Sequence, residues 1–131
     1  MYSYVHCAKQ YRWRMSDKQA RATKEVGLVE LRRGVLVLAV LSLLRERKYG
    51  YSLRQALAEG GMPIEEGTLY PLLRRLEAQG LLLSEWDSGT TPPRRYYRLG
   101  PEGDHALAEL AEAWRAQVEA IDGFLKGTKR K

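Results

Sequence analysis

The sequence is poor in the residues that give small proteins covalent or metal crosslinks. It contains one cysteine, Cys7, and two histidines, His6 and His105, so no disulfide framework can form within the chain and a structural zinc site is not expected. The longest apolar run, residues 34–44, is well short of the roughly 20 residues that span a bilayer. The first residues do not form the basic and then apolar segments of a signal peptide. We therefore expect a soluble cytoplasmic protein without a metal, a cofactor or a membrane partner.

The sequence also lacks a recognisable catalytic group. Neither histidine has an evident nucleophile or carboxylate partner, and Gly60-Gly61 is typical of a turn and not of a phosphate-binding loop. We therefore expect a binding protein and not an enzyme.

Positive charge is concentrated in the first part of the chain. The 131 residues carry a formal net charge of +6, and residues 1–50 hold eleven of the 22 basic residues but only four of the 16 acidic ones. Such an excess suits a surface that binds phosphate groups, although solvated lysine and arginine side chains are its commoner explanation.

The first third of the chain predicts an arm followed by helix. Residues 1–15 mix aromatic and basic side chains without periodicity, and we predict a flexible N-terminal arm, with a true start at Met15 as an alternative. From Asp17, apolar residues at three- and four-residue spacing predict helix that is apolar on all sides and therefore buried. Gly34 is expected to divide it into an arm helix over about 17–31 and a core helix over about 31–46.

The middle of the chain predicts two more helices. After a polar turn over residues 45–48, a short helix opens at Tyr49 and ends at Gly60-Gly61. The next helix carries a stripe of leucines, with Thr68 predicted as its N-cap, Pro71 in its first turn and Gly80 just beyond its end.

The last part of the chain predicts a hairpin and a long helix. Residues 81–86 and 94–99 have the composition of two strands joined by a turn. Pro101 opens the final helix, whose apolar residues lie close to heptad spacing.

This order of elements predicts a mainly α fold with a small β-hairpin: a winged helix-turn-helix plus a C-terminal dimerisation helix. We expect a DNA-binding domain over residues 16–99, a dimerisation helix over residues 100–127 and a basic tail over residues 128–131.

The third helix and the hairpin carry the predicted DNA contacts. The helix buries its leucines, which leaves its other face free to enter a major groove about 12 Å wide, and two prolines followed by two arginines predict a wing at the DNA backbone. Solvated arginines are the alternative, and Glu65 and Glu66 would repel phosphate at the start of the helix. The predicted DNA-binding residues are Lys48, Tyr49, Thr68, Tyr70, Pro71, Arg74, Arg75, Arg94 and Arg95.

The final helix has more apolar positions than so small a core can cover. We predict an isologous homodimer that reads a palindromic operator, with packing inside one chain as the alternative. Trp114, Gln117 and Val118 form a hypothetical site for a flat effector, although core packing is the simpler interpretation of Trp114. The predicted interface residues are Leu28, Leu31, Leu107, Leu110, Ala111, Trp114, Val118, Ile121 and Leu125.

Four blocks of sequence resemble the PadR family of bacterial and archaeal transcriptional regulators. They are Tyr49-Gly50-Tyr51, residues 66–77, Gly80-Leu81-Leu82 and residues 92–99, within a resemblance that spans roughly residues 31–125. It implies a homodimeric repressor of double-stranded operator DNA, released by a small aromatic or cationic molecule. It implies DNA-facing roles for Tyr49, Thr68, Tyr70, Pro71 and Arg74, a wing at Arg94-Arg95 and an interface aromatic at Trp114. Glu65 departs from the small hydroxyl residue that the family often has there. A winged helix that docks a protein or RNA without operator specificity is the alternative function.

Overall fold

The computed structural model describes residues 17–127. It contains α1 (Asp17–Leu43), β1 (Lys48–Tyr49), α2 (Gly50–Glu59), α3 (Glu66–Ala78), β2 (Leu82–Asp87), β3 (Arg94–Leu99) and α4 (Pro101–Leu125). This mainly helical fold with a small antiparallel sheet confirms the predicted fold class. The predicted N-terminal arm, residues 1–15, and basic tail, residues 128–131, lie outside the described residues.

The described residues form two compact units. One comprises residues 35–112, and the other comprises residues 17–34 together with residues 113–127. The first unit contains the end of α1, the whole of the sheet, α2, α3 and the start of α4. Within residues 17–127, no helix combines the length and the apolar character needed to cross a bilayer.

Helix α1 differs from its prediction in two ways. It runs from Asp17 to Leu43 without the break expected at Gly34, because a single glycine weakens a helix by only about 1 kcal/mol. Burial on all sides is also wrong for the part of the helix up to Leu31: Val26 is 63% and Leu31 65% exposed, whereas Val40 and Leu41 are completely buried. Apolar periodicity identified the helix, but it did not show where the core ends.

Helix α3 begins earlier than its sequence predicts. Glu65 is the N-cap, without a side-chain hydrogen bond, and its carbonyl oxygen accepts bonds from the N–H groups of Thr68 and Leu69, both at 3.0 Å. Thr68 is therefore a residue of the helix and not its cap. Pro71 lies in the second turn, where its missing N–H leaves one helical hydrogen bond unmade.

The predicted end of α3 is confirmed. Gly80 has a φ of +83°, which glycine adopts without the steric cost of a Cβ atom. Its N–H donates to the Glu77 carbonyl at 2.9 Å, and the Leu81 N–H donates to the Leu76 carbonyl at 3.0 Å. This pair of bonds is a Schellman motif, which turns the chain directly from α3 into the hairpin.

The hairpin is part of a three-stranded sheet in the order β1-β3-β2. Strands β2 and β3 confirm the predicted hairpin, and Ser84 pairs with Tyr97 and Trp86 with Arg95. Strand β1 was missed, because residues 45–48 were interpreted as a turn; Lys48 and Tyr49 pair instead with Tyr97 and Tyr96. The sheet therefore joins the segment before α2 to the wing.

One leucine-rich core holds the unit of residues 35–112 together. It brings the end of α1, α2, α3 and one face of the sheet into a single cluster, and its apolar burial supplies the main stabilising free energy. The core residues are Val40, Leu41, Leu44, Leu53, Leu57, Leu69, Leu72, Leu73, Leu76, Leu82, Tyr97 and Leu99.

Replacing Gly103 should destabilise this unit. Gly103 is a buried residue of α4, and a Cβ atom there would collide with the backbone carbonyl oxygen of Leu81, which also accepts the Gly100 N–H at 3.0 Å. Because backbone must move to make room, Gly103→Ala should lower the free energy of unfolding by about 1–3 kcal/mol. Urea unfolding at a fixed protein concentration measures the change.

Gly67→Ala is the matched control, because a Cβ at Gly67 in α3 would meet nothing within 4 Å. It should leave the stability unchanged or raise it by up to about 1 kcal/mol. Equal destabilisation by the two substitutions would contradict the packing described for Gly103.

Candidate nucleic-acid interface

The outer face of α3 presents polar and cationic side chains. The helix buries Leu69, Leu72, Leu73 and Leu76 against the core. The opposite face is therefore left to exposed side chains, and these include Thr68, Pro71, Arg74 and Arg75. Among the described residues, neither of these arginines has a carboxylate partner within 4.0 Å, so both guanidinium groups are available to an anionic ligand.

One of the two carboxylates at the start of α3 is neutralised. Arg54 of α2 donates from Nη1 to Glu66 Oε2 at 3.1 Å and from Nε to the Ile64 carbonyl at 3.3 Å. Glu66 is therefore paired to α2, and only Glu65 of the acidic pair lacks an arginine partner among residues 17–127. The repulsion of phosphate expected from this pair is correspondingly reduced.

A cleft of about 360 Å³ lies between α3 and the hairpin. Aromatic and cationic side chains dominate its walls, a combination suited to the backbone and bases of a nucleic acid. Its lining residues are Tyr49, Gly50, Tyr51, Tyr70, Arg74, Trp86, Pro93, Arg94, Arg95 and Tyr97.

Tyr49 connects the sheet to α2 at one side of this cleft. It is the last residue of β1 and the N-cap of α2, and the Ser52 hydroxyl accepts its N–H at 3.1 Å and donates to its carbonyl at 2.9 Å. The Tyr49 ring meets Tyr96 edge to face at 5.4 Å between centroids. The two hydrogen bonds fix the backbone of Tyr49, and the ring contact orients its side chain.

Arg94 is held over the Tyr49 ring. Its Cζ lies 4.3 Å from the ring centroid, a cation–π geometry, and the side chain is exposed. A hydrogen bond with the Tyr96 side chain raises the pKa of Arg94. Asp87 is the strand partner of Arg94 and also favours its charged form, but no carboxylate of the described residues lies within 4.0 Å of it. Arg94 therefore presents a permanent, exposed positive charge at the tip of β3.

Arg95 has a different environment. Its Nη2 lies 2.9 Å from Glu77 Oε1, and its Nε donates to Ser84 Oγ at 3.1 Å. It lies on the face of β3 that carries Tyr97 and the core, because successive side chains of a strand point to opposite faces. Burial also raises the pKa of the Tyr97 hydroxyl.

The structure thus brings most of the predicted DNA-binding residues together around one cleft. Tyr49, Tyr70, Arg74, Arg94 and Arg95 line it. Thr68, Pro71 and Arg75 lie on the exposed side of α3. Lys48 is less available, since its side chain is only 22% exposed and its Nζ lies 3.9 Å from Glu46 Oε1.

Sequence reasoning missed five residues that line the cleft, namely Gly50, Tyr51, Trp86, Pro93 and Tyr97. Tyr51 is 54% exposed and Trp86 65% exposed. The sequence offered a signal for some of them: Gly50 and Tyr51 lie in the Tyr-Gly-Tyr block, and Pro93 precedes the wing arginines. Trp86 is placed at the cleft by its strand pairing with Arg95, which only the structure shows.

No metal site accompanies the cleft in the part of the chain that the structure describes. Within residues 17–127, no three His, Cys, Asp or Glu side chains are grouped so that they could hold an ion.

The predicted dimer residues include several exposed apolar side chains. In the unit of residues 17–34 and 113–127, Trp114 is 44% exposed and Ile121 48% exposed. Leu28, Leu31 and Leu125 are also exposed, Val118 is half-buried and Gln117 is exposed. In the other unit, Leu107 packs against the core, Leu110 is exposed and Ala111 is half-buried.

Residues 40–109, more than half of the chain, match the family model described as the transcriptional regulator PadR-like family. The chain belongs to the PadR-like family. A PadR family transcriptional regulator from Eggerthella lenta has a crystal structure with a TM-score of 0.79 and 48% sequence identity, over 83% of this chain and 97% of that one. A PadR-like regulator from Bacillus cereus has a TM-score of 0.68 at 28% identity, over 76% of this chain and 99% of that one. Transcriptional regulator Rv3488 of Mycobacterium tuberculosis is 41% identical over 75 residues, which are 57% of this chain and 70% of that protein.

Membership of this family confirms the resemblance found in the sequence. The PadR-like chain is a transcriptional regulator that binds DNA, and it is not an enzyme. The matched residues 40–109 contain β1, α2, α3 and the hairpin, and therefore the whole cleft.

Removing the free wing charge of this PadR-like regulator should weaken its binding to any DNA. Arg94→Ala should lower the affinity for a random-sequence duplex and reduce the slope of log K against log salt concentration by about 1, because one phosphate contact releases about one counterion. Fluorescence anisotropy at several salt concentrations measures both quantities.

Arg33→Ala, which removes the same charge from α1, is the control. Arg33 is not one of the residues that line the cleft and lies 3.8 Å from Glu30 on the surface of α1, so the slope should not change. An unchanged slope for Arg94→Ala would contradict a phosphate contact at the wing.

Proposed function

We propose that the protein is a homodimeric repressor that binds a palindromic operator through α3 and the β2–β3 wing. The observation that carries the proposal is the cleft between these two elements, where Arg74 and Arg94 have no carboxylate within 4.0 Å among the described residues. A DNA duplex requires such cationic groups on both the reading helix and the flanking wing.

In the proposed complex, α3 enters the major groove with its exposed face. Arg74 and Arg75 reach base edges or phosphates, since a guanidinium donates in bidentate fashion to guanine. Thr68, Tyr70 and Pro71 approach the backbone near the first turns of α3, where free N–H groups and the helix dipole favour phosphate. Arg94 and Arg95 belong to the wing, and Lys48 and Tyr49 extend the surface across β1.

Dimerisation is proposed to use the heptad seam of α4 with help from α1. Ala111, Trp114, Val118, Ile121 and Leu125 follow each other at alternating spacings of three and four residues, which places them along one side of a helix in a coiled-coil pairing. Exposed apolar side chains at Trp114, Ile121 and Leu125 support a partner helix, because burying them removes apolar area from water. In this proposal residues 16–99 are the DNA-binding domain and residues 100–127 the dimerisation helix.

Repression is proposed to end when a small aromatic or cationic effector binds beside the dimer seam. Trp114, Gln117 and Val118 share a helical face near its middle, and the exposed indole of Trp114 offers a stacking surface. Such an effector would release DNA only if it bound the DNA-free arrangement of the dimer more tightly.

Selection from a pool of randomised duplexes at about 0.15 M salt tests the operator proposal. We expect enrichment of one inverted repeat whose half-sites are about 10 base pairs apart, because two α3 helices related by a two-fold axis meet successive major grooves. A gel shift with this duplex should resist a large excess of random competitor. A selection that enriches no sequence, or a single half-site, would contradict the palindromic operator.

Charging the seam should separate the protomers. Trp114→Glu with Ile121→Glu places like charges at two seam positions, so the protein should sediment as a monomer and bind the selected duplex at least about tenfold more weakly, since two half-sites are no longer bound together. Sedimentation velocity and anisotropy measure the two effects.

Ala113→Glu with Ala120→Glu is the matched control, because both residues are exposed positions of α4 that lie off the heptad seam. The control adds the same charge and should remain a dimer. Dissociation of the control, or a persistent dimer after the seam substitutions, would place the interface elsewhere.

A further inference from the structure

The two neighbouring arginines of the wing make entirely different contacts. Arg94 has no carboxylate within 4.0 Å among residues 17–127, although Asp87 lies opposite it in the hairpin, and it lies over the Tyr49 ring, whereas Arg95 is bonded to α3 and to β2. We propose that Arg95 is a positioning residue, which together with Glu77 and Ser84 holds the wing at a fixed distance from α3, and that Arg94 alone of the pair binds phosphate. This inference rests on the proposed function, because it divides the tasks within the proposed DNA surface.

The three side chains form a closed ring of hydrogen bonds, which we call the wing lock. Arg95 Nη2 lies 2.9 Å from Glu77 Oε1, and Arg95 Nε donates to Ser84 Oγ at 3.1 Å. The Ser84 hydroxyl donates in turn to Glu77 Oε2 at 2.6 Å. Both oxygens of the carboxylate are therefore used, and every bond except the one within the hairpin joins the wing to α3.

The wing lock is also shielded from solvent better than the Arg47–Glu85 ion pair of the sheet. The Arg95 and Glu77 side chains are 35% and 28% exposed, whereas the Arg47–Glu85 pair at 3.2 Å is 44% and 58% exposed. Charge-assisted bonds gain strength as water is excluded. The geometry therefore favours a persistent lock over a pair that opens freely in solution.

The charge of Arg95 is already compensated. A phosphate contact that turned Arg95 away from α3 would break two bonds and leave the Glu77 carboxylate half-buried without its cation, which is unfavourable. A contact made in place by the remaining N–H groups of Arg95 would gain little, because the neighbouring Glu77 carboxylate repels phosphate. Arg94 would break no bond to a carboxylate, because Asp87 opposite it is not within 4.0 Å. Phosphate binding should therefore fall to Arg94, and the positive charge of Arg95 should contribute little to the salt dependence of DNA binding.

Fixing the wing matters because α3 and the wing must meet the same duplex together. Only residues 79–81 connect α3 to β2, and the Schellman motif at Gly80 sets the direction of that connection. The wing lock ties the hairpin to the last turn of α3 a second time. A wing ordered before binding loses less conformational entropy on the DNA.

Glu77→Gln provides a test in which the two roles of Arg95 predict opposite signs. If Arg95 positions the wing, the loss of the carboxylate should weaken binding to the selected duplex, by about three- to tenfold. If Arg95 binds phosphate, the same substitution frees its charge and should strengthen binding and steepen the salt slope. Glu85→Gln is the matched control, because it removes an ion-paired carboxylate from β2 and changes the net charge equally.

Conservative replacements separate shape from charge. Arg95→Lys keeps the charge but cannot donate to both Glu77 and Ser84 from one planar group, so it should weaken binding nearly as much as Arg95→Gln while leaving the salt slope unchanged. Arg94→Lys keeps a phosphate-binding charge and should retain most of the affinity. Full activity of Arg95→Lys, or a slope reduced by about 1 in Arg95→Gln, would overturn the positioning role.

Glu77→Gln and Arg95→Gln should also be non-additive. If each substitution acts by opening the wing lock, the double variant should bind DNA no more weakly than the single variant with the lower affinity. Additive losses would show that the two residues act separately. Because Glu77→Gln can lower stability, Ser84→Ala serves as a milder second variant, in which a smaller loss of affinity with an unchanged slope is expected.

Hydrogen exchange of the free protein distinguishes a failure of the lock from a failure of the proposed function. Amides of residues 82–99 should exchange faster in Glu77→Gln than in Glu85→Gln, with no DNA present. If no duplex is selected but this difference is found, the operator proposal fails and the wing lock stands. Equal exchange in the two variants would overturn the lock even if the wild-type protein binds an operator.

Discussion

The alternation of side chains along β3 determines how this regulator presents its wing. Tyr97 and Leu99 are anchored in the leucine core, and pairing with both β1 and β2 fixes the register of the strand. Because side chains of a strand alternate between its faces, burying Tyr97 turns Arg95 towards α3 and leaves Arg94 on the other face. A shift of one residue would exchange the two arginines and expose the core side chains. The core therefore decides which arginine is free.

Short connections between the elements let the core determine the positions of the surface residues around the cleft. Helix α3 is held by four buried leucines, and three residues link it to β2. Tyr49 belongs both to β1 and to the start of α2, so the same sheet that positions Arg94 positions the aromatic ring beneath it. The cleft has little freedom to change shape unless the hairpin moves, and the Glu77, Ser84 and Arg95 bonds oppose that movement.

The sequence was sufficient for features that depend on local chemistry and insufficient for those that depend on tertiary contact. Leucine spacing and Gly80 predicted α3 and its end, and strand composition predicted the hairpin. The two-residue β1 is too short to show a period, and Glu65 caps α3 without the side-chain bond that identifies a cap. The exposure of Leu31 and the different environments of Arg94 and Arg95 depend on which residues lie opposite them in space. The presence of a DNA-facing cleft was predictable, but the contribution of Trp86, Tyr51 and Pro93 to its walls was not.

The arrangement of acidic residues explains how a chain with nearly balanced charge beyond residue 50 can present a positive surface. Glu66 and Glu77 both belong to α3, and each is paired with an arginine from another element, Arg54 of α2 and Arg95 of β3. These pairs hold the helix to its neighbours while removing two carboxylates from the field that a phosphate would meet. The remaining guanidinium groups on the outer face of α3 and at the wing need not outnumber the acidic residues of the unit. They need only be the charges that the fold leaves unpaired.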